Sequence, residues 1–295
     1  DMFKKALLTN VDMVCLELED GIHPNEKENA RNCAIKNIKD NDTSSNAEIL
    51  IRINSIREEL GLKDLLALLN TTNQPDGIMI PKVKTPDEIV IIDNLLKDKQ
   101  LNTKIHVIIE TNDGLKNVFD IASSSRKIET LFFGGVDMSA DLRCDNSWEY
   151  LLYARSRIIH AAASNHLDAI DVPFLDLEDL KSLEKEAINA KKLGFTGKGT
   201  IHPKQIDLIN NVFTPSKDEI LKAKEIVSAF EKNKTALLVY KGKLIEKPVL
   251  REMYRLLNIE KRIKNNNWLL VNASINKNKY YKLLIIYALI KLIMQ

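Results

Sequence analysis

The sequence predicts an α/β protein built on a closed ring of parallel strands, a (β/α)8-type barrel whose first strand is missing at the N-terminus. Three observations predict it. Strand-like and helix-like patterns alternate from the first residues onward. The strand candidates are short, continuous apolar runs, as expected of strands buried on both faces. Two successive runs, at residues 105–111 and 131–137, end on carboxylates, Glu110 and Asp137. Such strand ends place two oxygen ligands on one rim of the sheet, and in barrels the C-terminal rim carries the active site.

The elements follow in order. Residues 2–8 read as the end of a helix and residues 12–19 as a strand closing on Glu17, Glu19 and Asp20. A helix over 25–38 carries Ala30, Cys33, Ala34 and Ile38 on one face. The strand at 48–54 holds Arg52, and a Leu-rich helix follows with Leu62, Leu65, Leu66 and Leu69. After the strand at 77–83, Thr85, Pro86 and Glu88 form a capping box with proline at the first helical position. The Glu110 strand, one helix through Leu115, Val118, Phe119 and Ala122, the Asp137 strand and a long helix from Ser147 come next. A short strand at 169–173, a helix at 180–190 and a Gly-rich strand and loop at 194–203 complete seven strands. One strand ahead of the first helix would make eight, the number for a closed barrel. A doubly wound open sheet is the alternative, but no G-x-G-x-x-G follows the first strand. Ser216 and Glu219 cap a further helix.

These patterns divide the chain into a barrel domain at 1–235, a small C-terminal lid segment at 236–257 and an atypical basic and apolar tail at 258–295. The tail shows no clear caps and is expected to touch the barrel core little. With 44% hydrophobic and 28% charged residues, the chain is globular. Residues 259–295 carry seven Lys or Arg against one Glu, so the rest is mildly acidic and lacks the basic stripe that nucleic acid requires. Cys15, Cys33 and Cys144 fall in no paired spacing, which favours a reducing, cytoplasmic setting. No secretory signal is visible, and the start at Asp1 reads as truncated or processed. The apolar run at 283–290 is too short to span a bilayer, so no membrane is expected.

Glu110 and Asp137, without His or Cys at equivalent positions, favour a hard divalent cation, Mg2+ or Mn2+, over zinc. The plainer reading makes them caps or ion-pair partners. Arg52, mid-strand among Leu and Ile, needs a partner if buried: Glu17, Glu19 or Asp20 on the neighbouring strand. Such a held arginine also suits a fork for a substrate carboxylate. Lys82 reads as a solvated strand tip. The 194–199 stretch is no Walker loop; it reads as a tight strand entry or as a phosphate approach through Lys198. His202 before Pro203 reads as structural, and Ser139 lacks triad partners.

Together LEDG at 18–21, RIN at 52–54, PKV at 81–83, IET at 109–111, FGGVDMSADL at 133–142, AIDVP at 169–173 and GFTGKGTIHP at 194–203 resemble the citrate lyase β-subunit-like branch of the HpcH/HpaI aldolase family. The match runs from residue 1 to about 257. It implies a TIM barrel and Mg2+-dependent chemistry on the carbon–carbon bond of a 3-hydroxy-acyl thioester, carried on CoA or a carrier protein. By motif, Glu110 and Asp137 fall on the family's metal ligands. Arg52 falls on its substrate-carboxylate arginine, with Glu110 also beside the substrate and Glu19 and Asp20 behind them. GKLIEKP at 242–248 resembles the segment that in several relatives covers a neighbouring subunit's site and supplies an Asp. Glu246 stands there, one methylene longer, as the candidate acid, and a homo-oligomer is implied. Thioester hydrolysis on the same site and a non-catalytic remnant are the competing expectations.

Overall fold

The computed structural model describes residues 2–39, 47–232, 238–269 and 286–290. Helix α1 (Met2–Leu7) leads into strand β1 (Met13–Glu17), and a single 3-10 turn opens α2 (Lys27–Lys39). The alternation continues through β2 (Glu48–Arg52), α3 (Glu59–Leu69), β3 (Gly77–Ile80), α4 (Pro86–Asp98) and β4 (Lys104–Ile109). Next come α5 (Asn112–Lys116), α6 (Val118–Ser123), β5 (Ile128–Phe133), α7 (Gly135–Leu142), α8 (Leu152–Ser164), β6 (Asp168–Asp171), α9 (Leu180–Leu193), β7 (Gly197–Thr200) and α10 (Ile206–Phe213).

Strands β1 to β7 pair in sequence, each parallel to the next, into one curled sheet. Side chains alternate across it. Met13, Cys15, Leu50, Met79, Ile108, Phe132 and Ile170 fill the inside. Val14, Leu16, Ile51, Ile78, Val107, Leu131 and Ala169 face the helices and form the larger core with them. The capping box of α4 forms, with Glu88 accepting the Thr85 amide at 2.9 Å, and Ile89, Ile92 and Leu96 are fully buried.

Several elements differ from the sequence expectation. The single helix after β4 is two, because Asn117 (φ −95°, ψ 9°) leaves helical geometry. The buried stripe of α3 runs through Gly61, Leu65, Leu68 and Leu69, while Leu62 and Leu66 are exposed. Gly61 packs directly on the Ser55 carbonyl, where a Cβ would overlap it, and this contact sets the rotation of the helix. The run expected to extend as strand to Asp137 stops at Phe133. Gly134 and Gly135 turn the chain into α7, whose first turn carries Asp137.

The chain also divides elsewhere than at residue 235. One compact unit comprises residues 1–213 and 284–295, and a second runs from Thr214 to Leu283. Helix α11 (Lys217–Lys232) belongs to the second because Ala223, Ile226 and Val227 share an apolar cluster with Ile245, Leu250 and Met253. That unit contains an antiparallel hairpin, β8 (Leu238–Tyr240) and β9 (Lys243–Ile245), turning on Lys241 and Gly242 with φ of 46° and 76°. Two successive positive φ values are what a two-residue hairpin turn demands. Helix α12 (Lys247–Leu269) then continues well past residue 257.

Nor is all of the tail apart from the barrel. Strand β10 (Ile286–Ile290) lies parallel between β7 and β1 and closes the ring. The edges of β1 and β7 present unpaired backbone donors and acceptors, and an apolar run rich in Ile satisfies them. Truncation before residue 284 should therefore lower the melting temperature by at least about 3 °C, the scale of 1 kcal/mol in a domain of this size. An unchanged transition in scanning calorimetry would show that this pairing contributes nothing.

In the Gly-rich β7, Lys198 is taken up by an internal ion-pair cluster. Asp171 follows Ala169 by two residues and so shares its outward face, and Lys198 meets it there. Lys198 Nζ is fully buried against Asp171 Oδ2 (2.7 Å), Glu186 Oε1 (2.6 Å) and the Val172 carbonyl (2.7 Å). Arg155 holds the other Asp171 oxygen at 2.9 Å and lies over the Phe133 and Trp148 rings. Lys198→Met should cost about 3–5 kcal/mol in urea unfolding by leaving buried acid uncompensated. A cost near zero would return Lys198 to the list of ligand-facing groups.

Candidate active site

Strand parity carries the charged residues to one place. Glu17 continues the inward series of Met13 and Cys15, Arg52 that of Leu50, and Glu110 that of Ile108. The parallel register sets Glu17 directly beside Arg52. Arg52 Nε and Nη2 both donate to Glu17 Oε2, at 2.7 and 2.6 Å, while Nη1 lies 3.4 Å from Glu19 Oε2. The expected partner set is thus met by Glu17 and Glu19. Burial pushes the Glu17 carboxyl up even though Arg52 draws it down.

The Glu19 end of β1 is itself held from below. Lys27 Nζ donates to the carbonyls of Leu18 (2.9 Å) and Glu19 (2.8 Å) and to Asn54 Oδ1 (2.7 Å). Asn54 donates to Asp64, and Asp64 takes Arg31 Nε at 2.6 Å. No residue-type pattern in the sequence singles out Lys27 or Asp64; only their burial does.

Lys82 is no solvated tip. Its Nζ meets Glu19 Oε1 at 2.6 Å and Asp20 Oδ2 at 3.0 Å. Burial works against its charge, but the hydrogen bonds and charges of Glu19 and Asp20 hold its pKa above the ordinary lysine value. Its backbone is left-handed, φ 53°, and its N–H donates to Glu110 Oε1 at 2.8 Å.

Glu110 follows β4 directly and is 3% exposed. Gly134 makes room for it: a Cβ there would overlap the carboxylate. Burial first, then the charges of Glu19 and Asp137, push its carboxyl up to about 8, against the opposing pull of Arg52 and the Lys82 amide. Asp137 is raised too, by burial and by Asp20 and Glu19, with Lys82 and Arg52 opposing. Its place in the first turn of α7 puts it at the positive end of the helix dipole. Glu110, Asp137 and Lys82 line a common cavity of about 560 Å³ with Ser55, Arg57 and Thr111. Below it, inside the barrel, His106 packs against Phe132 and Thr130, and burial drives it down to about 3, so it stays neutral.

The structure therefore brings Arg52, Glu110, Asp137, Glu19 and Asp20 together. Glu246 belongs to the second unit, exposed between β9 and α12, where its carbonyl accepts the Leu250 amide at 3.0 Å. His202 caps a 3-10 turn, accepting the Lys204 amide. Among the described residues no group of three or more His, Cys, Asp or Glu is arranged as a metal cluster. Two neighbouring carboxyls that burial and like-charged neighbours make costly to ionise suit a hard cation that keeps other oxygen ligands.

A curled parallel sheet with acids and a held arginine at its C-terminal rim defines a protein of the α/β-barrel enzyme class. The HpcH/HpaI aldolase/citrate lyase model matches residues 1–203, and the chain belongs to that family. It is similar to the mitochondrial citramalyl-CoA lyase of Homo sapiens, 32% identical, covering 88% of this chain and 82% of that protein. The L-malyl-CoA/beta-methylmalyl-CoA lyase of Rhodobacter capsulatus is 29% identical over 85% of this chain and 88% of that protein. A solved citrate lyase beta subunit from M. tuberculosis, complexed with oxaloacetate and magnesium, superposes with a TM-score of 0.60 at 26% identity, over 72% of this chain and 91% of that one. Magnesium is thus the metal seen in a solved relative. No helix among the described residues is long and apolar enough to cross a membrane.

The Glu110 shift has a testable sign in metal-free protein. Its carboxyl ionises near 4.5 when unfolded and about 8 when folded. The folded state therefore holds the extra proton between these values, and stability falls as pH rises from 4.5 through 8. Glu110→Gln removes that loss, so the variant should gain on the parent steadily across this window in chelator-treated thermal melts. A difference that stays flat with pH would mean that Glu110 ionises normally.

Proposed function

We propose that this chain cleaves the carbon–carbon bond of a 3-hydroxy-acyl-CoA of the citryl, malyl or citramalyl type, releasing a 2-oxo acid and an acetyl thioester. The observation that supports it is that Glu110 and Asp137 line one cavity, with the charge of Arg52 acting on both, within a family of such lyases. Glu110 and Asp137 are the residues that would hold Mg2+. When bound, the ion supplies Lewis-acid polarisation and a template for the substrate's hydroxyl and carboxylate oxygens.

Arg52 grips the carboxylate of the future 2-oxo acid with its planar fork. Glu17 and Glu19 fix the plane of that fork, so its orientation is set before substrate arrives. Removal of the hydroxyl proton lets the carbon–carbon bond break, and the electron pair passes to the acetyl carbon next to the thioester. Glu246 of a second copy is the proposed acid that protonates that carbon. On this reading residues 236–257 form a lid over a neighbouring subunit, and the working protein is a homo-oligomer.

Malyl-, citramalyl- and citryl-CoA, offered with Mg2+, should yield glyoxylate, pyruvate or oxaloacetate for at least one of the three. Free CoA without a 2-oxo acid would mark a hydrolase instead. Asp137→Asn should weaken Mg2+ binding in calorimetry by more than about a hundredfold, since residues that merely support a ligand already cost about 10–100-fold. Turnover should vanish with it. Arg52→Lys keeps the charge but loses the fork, so Mg2+ affinity should hold while KM rises. If Arg52→Lys abolished metal binding and Asp137→Asn left it untouched, these roles would be wrong.

A further inference from the structure

We infer that Lys82 is a positioning residue that sets the two halves of the site by separate means. Its backbone amide aims Glu110, and its ammonium group governs Glu19 and, through Glu19, Arg52. This rests on the proposed roles of Glu110 and Arg52.

The backbone half follows from conformation. Lys82 N–H reaches Glu110 Oε1 at 2.8 Å while the residue sits at φ 53°. Residues with a Cβ avoid the left-handed region, so something must hold this one there. Pro81 on one side has its φ fixed by its ring, which limits how far the strain can move upstream. The ion pairs of Nζ with Glu19 at 2.6 Å and Asp20 at 3.0 Å anchor the far end of the side chain. They offset the cost of the left-handed backbone. Glu110 Oε1 is then committed to the amide, and Oε2 lies over Gly134.

The side-chain half follows from competition. Glu19 faces two cations. Its Oε1 is with Lys82 at 2.6 Å, and its Oε2 is only 3.4 Å from Arg52 Nη1. Without Lys82, the whole charge of Glu19 falls to Arg52. A guanidinium held more tightly by an internal acid is less available to a substrate carboxylate, because both seek the same planar donors.

The two functions come apart in a pair of variants. Lys82→Gly and Lys82→Met both remove the ammonium charge, but only glycine adopts the left-handed backbone without cost. Titration calorimetry with Mg2+ alone should give Lys82→Gly an affinity about tenfold higher than Lys82→Met, the scale of a left-handed backbone penalty. In lyase assays at saturating Mg2+, KM for the hydroxy-acyl thioester should rise in both variants alike. Circular dichroism melts report whether each variant is folded; the glycine variant carries the test if the methionine variant is not, by binding Mg2+ no more weakly than the parent. Equal Mg2+ affinities for the two variants would overturn the backbone role. An unchanged KM in both would overturn the side-chain role. Absence of Mg2+ binding by the parent would overturn the metal-site reading itself, and with it the backbone role.

Discussion

The rim of this barrel is organised by a carboxylate that burial makes costly to ionise. Glu110 feels two like charges, Glu19 and Asp137, and one opposite charge, Arg52, and it is nearly shut off from solvent. Left to itself it keeps a proton to about 8. Everything around it bears on that balance. The Lys82 amide accommodates one oxygen, Gly134 gives the other room, and Lys82 and Arg52 share out the neighbouring acids. An acid in such surroundings lowers the stability of the fold as pH rises through neutrality.

This tension explains why the support beneath the rim is so heavily bonded. Lys27 grips two consecutive carbonyls at the end of β1, and Asn54, Asp64 and Arg31 extend the network into the neighbouring helices. Repelling acids would otherwise splay the strand ends apart. Three neutral acceptors on one buried ammonium group are an expensive arrangement unless the position it fixes matters. What it fixes is the backbone from which Glu17 and Glu19 reach Arg52.

Much of the barrel was legible from the chain because its signals are local. Apolar runs marked six of the seven strands that pair in sequence, a Gly-rich stretch at 194–203 marked the seventh, and Thr85 with Glu88 marked a helix start that forms as read. What escaped depends on tertiary context. Gly61 turned α3 by its packing on Ser55, not by any pattern among its leucines. The step from β5 into α7 was hidden because Val136 and Met138 prolong the apolar run beyond two glycines. The apolar run of the tail was visible, but pairing with β1 and β7 is a long-range choice that sequence periodicity does not encode. At the rim, residue types singled out Glu110, Asp137 and Arg52, which the fold brings together. They could not identify Lys82, whose part depends on one dihedral angle and one amide.

Lys82 and Lys198 show what decides such cases. Both follow a strand pattern, both stand in short motifs with Pro or Gly, and both are held by acids. Lys198 lies on the outward face of its strand, where Asp171 and Glu186 enclose it completely between sheet and helices. No ligand can reach it there, and its charge serves packing. Lys82 follows Met79 by three residues and would point outward if β3 continued regularly. The left-handed backbone at φ 53° breaks the alternation, and the side chain lines the cavity and pairs with Glu19 and Asp20. A charged residue near a strand end thus becomes part of the site or part of the scaffold according to strand parity, and one unusual backbone angle suffices to move it from one to the other.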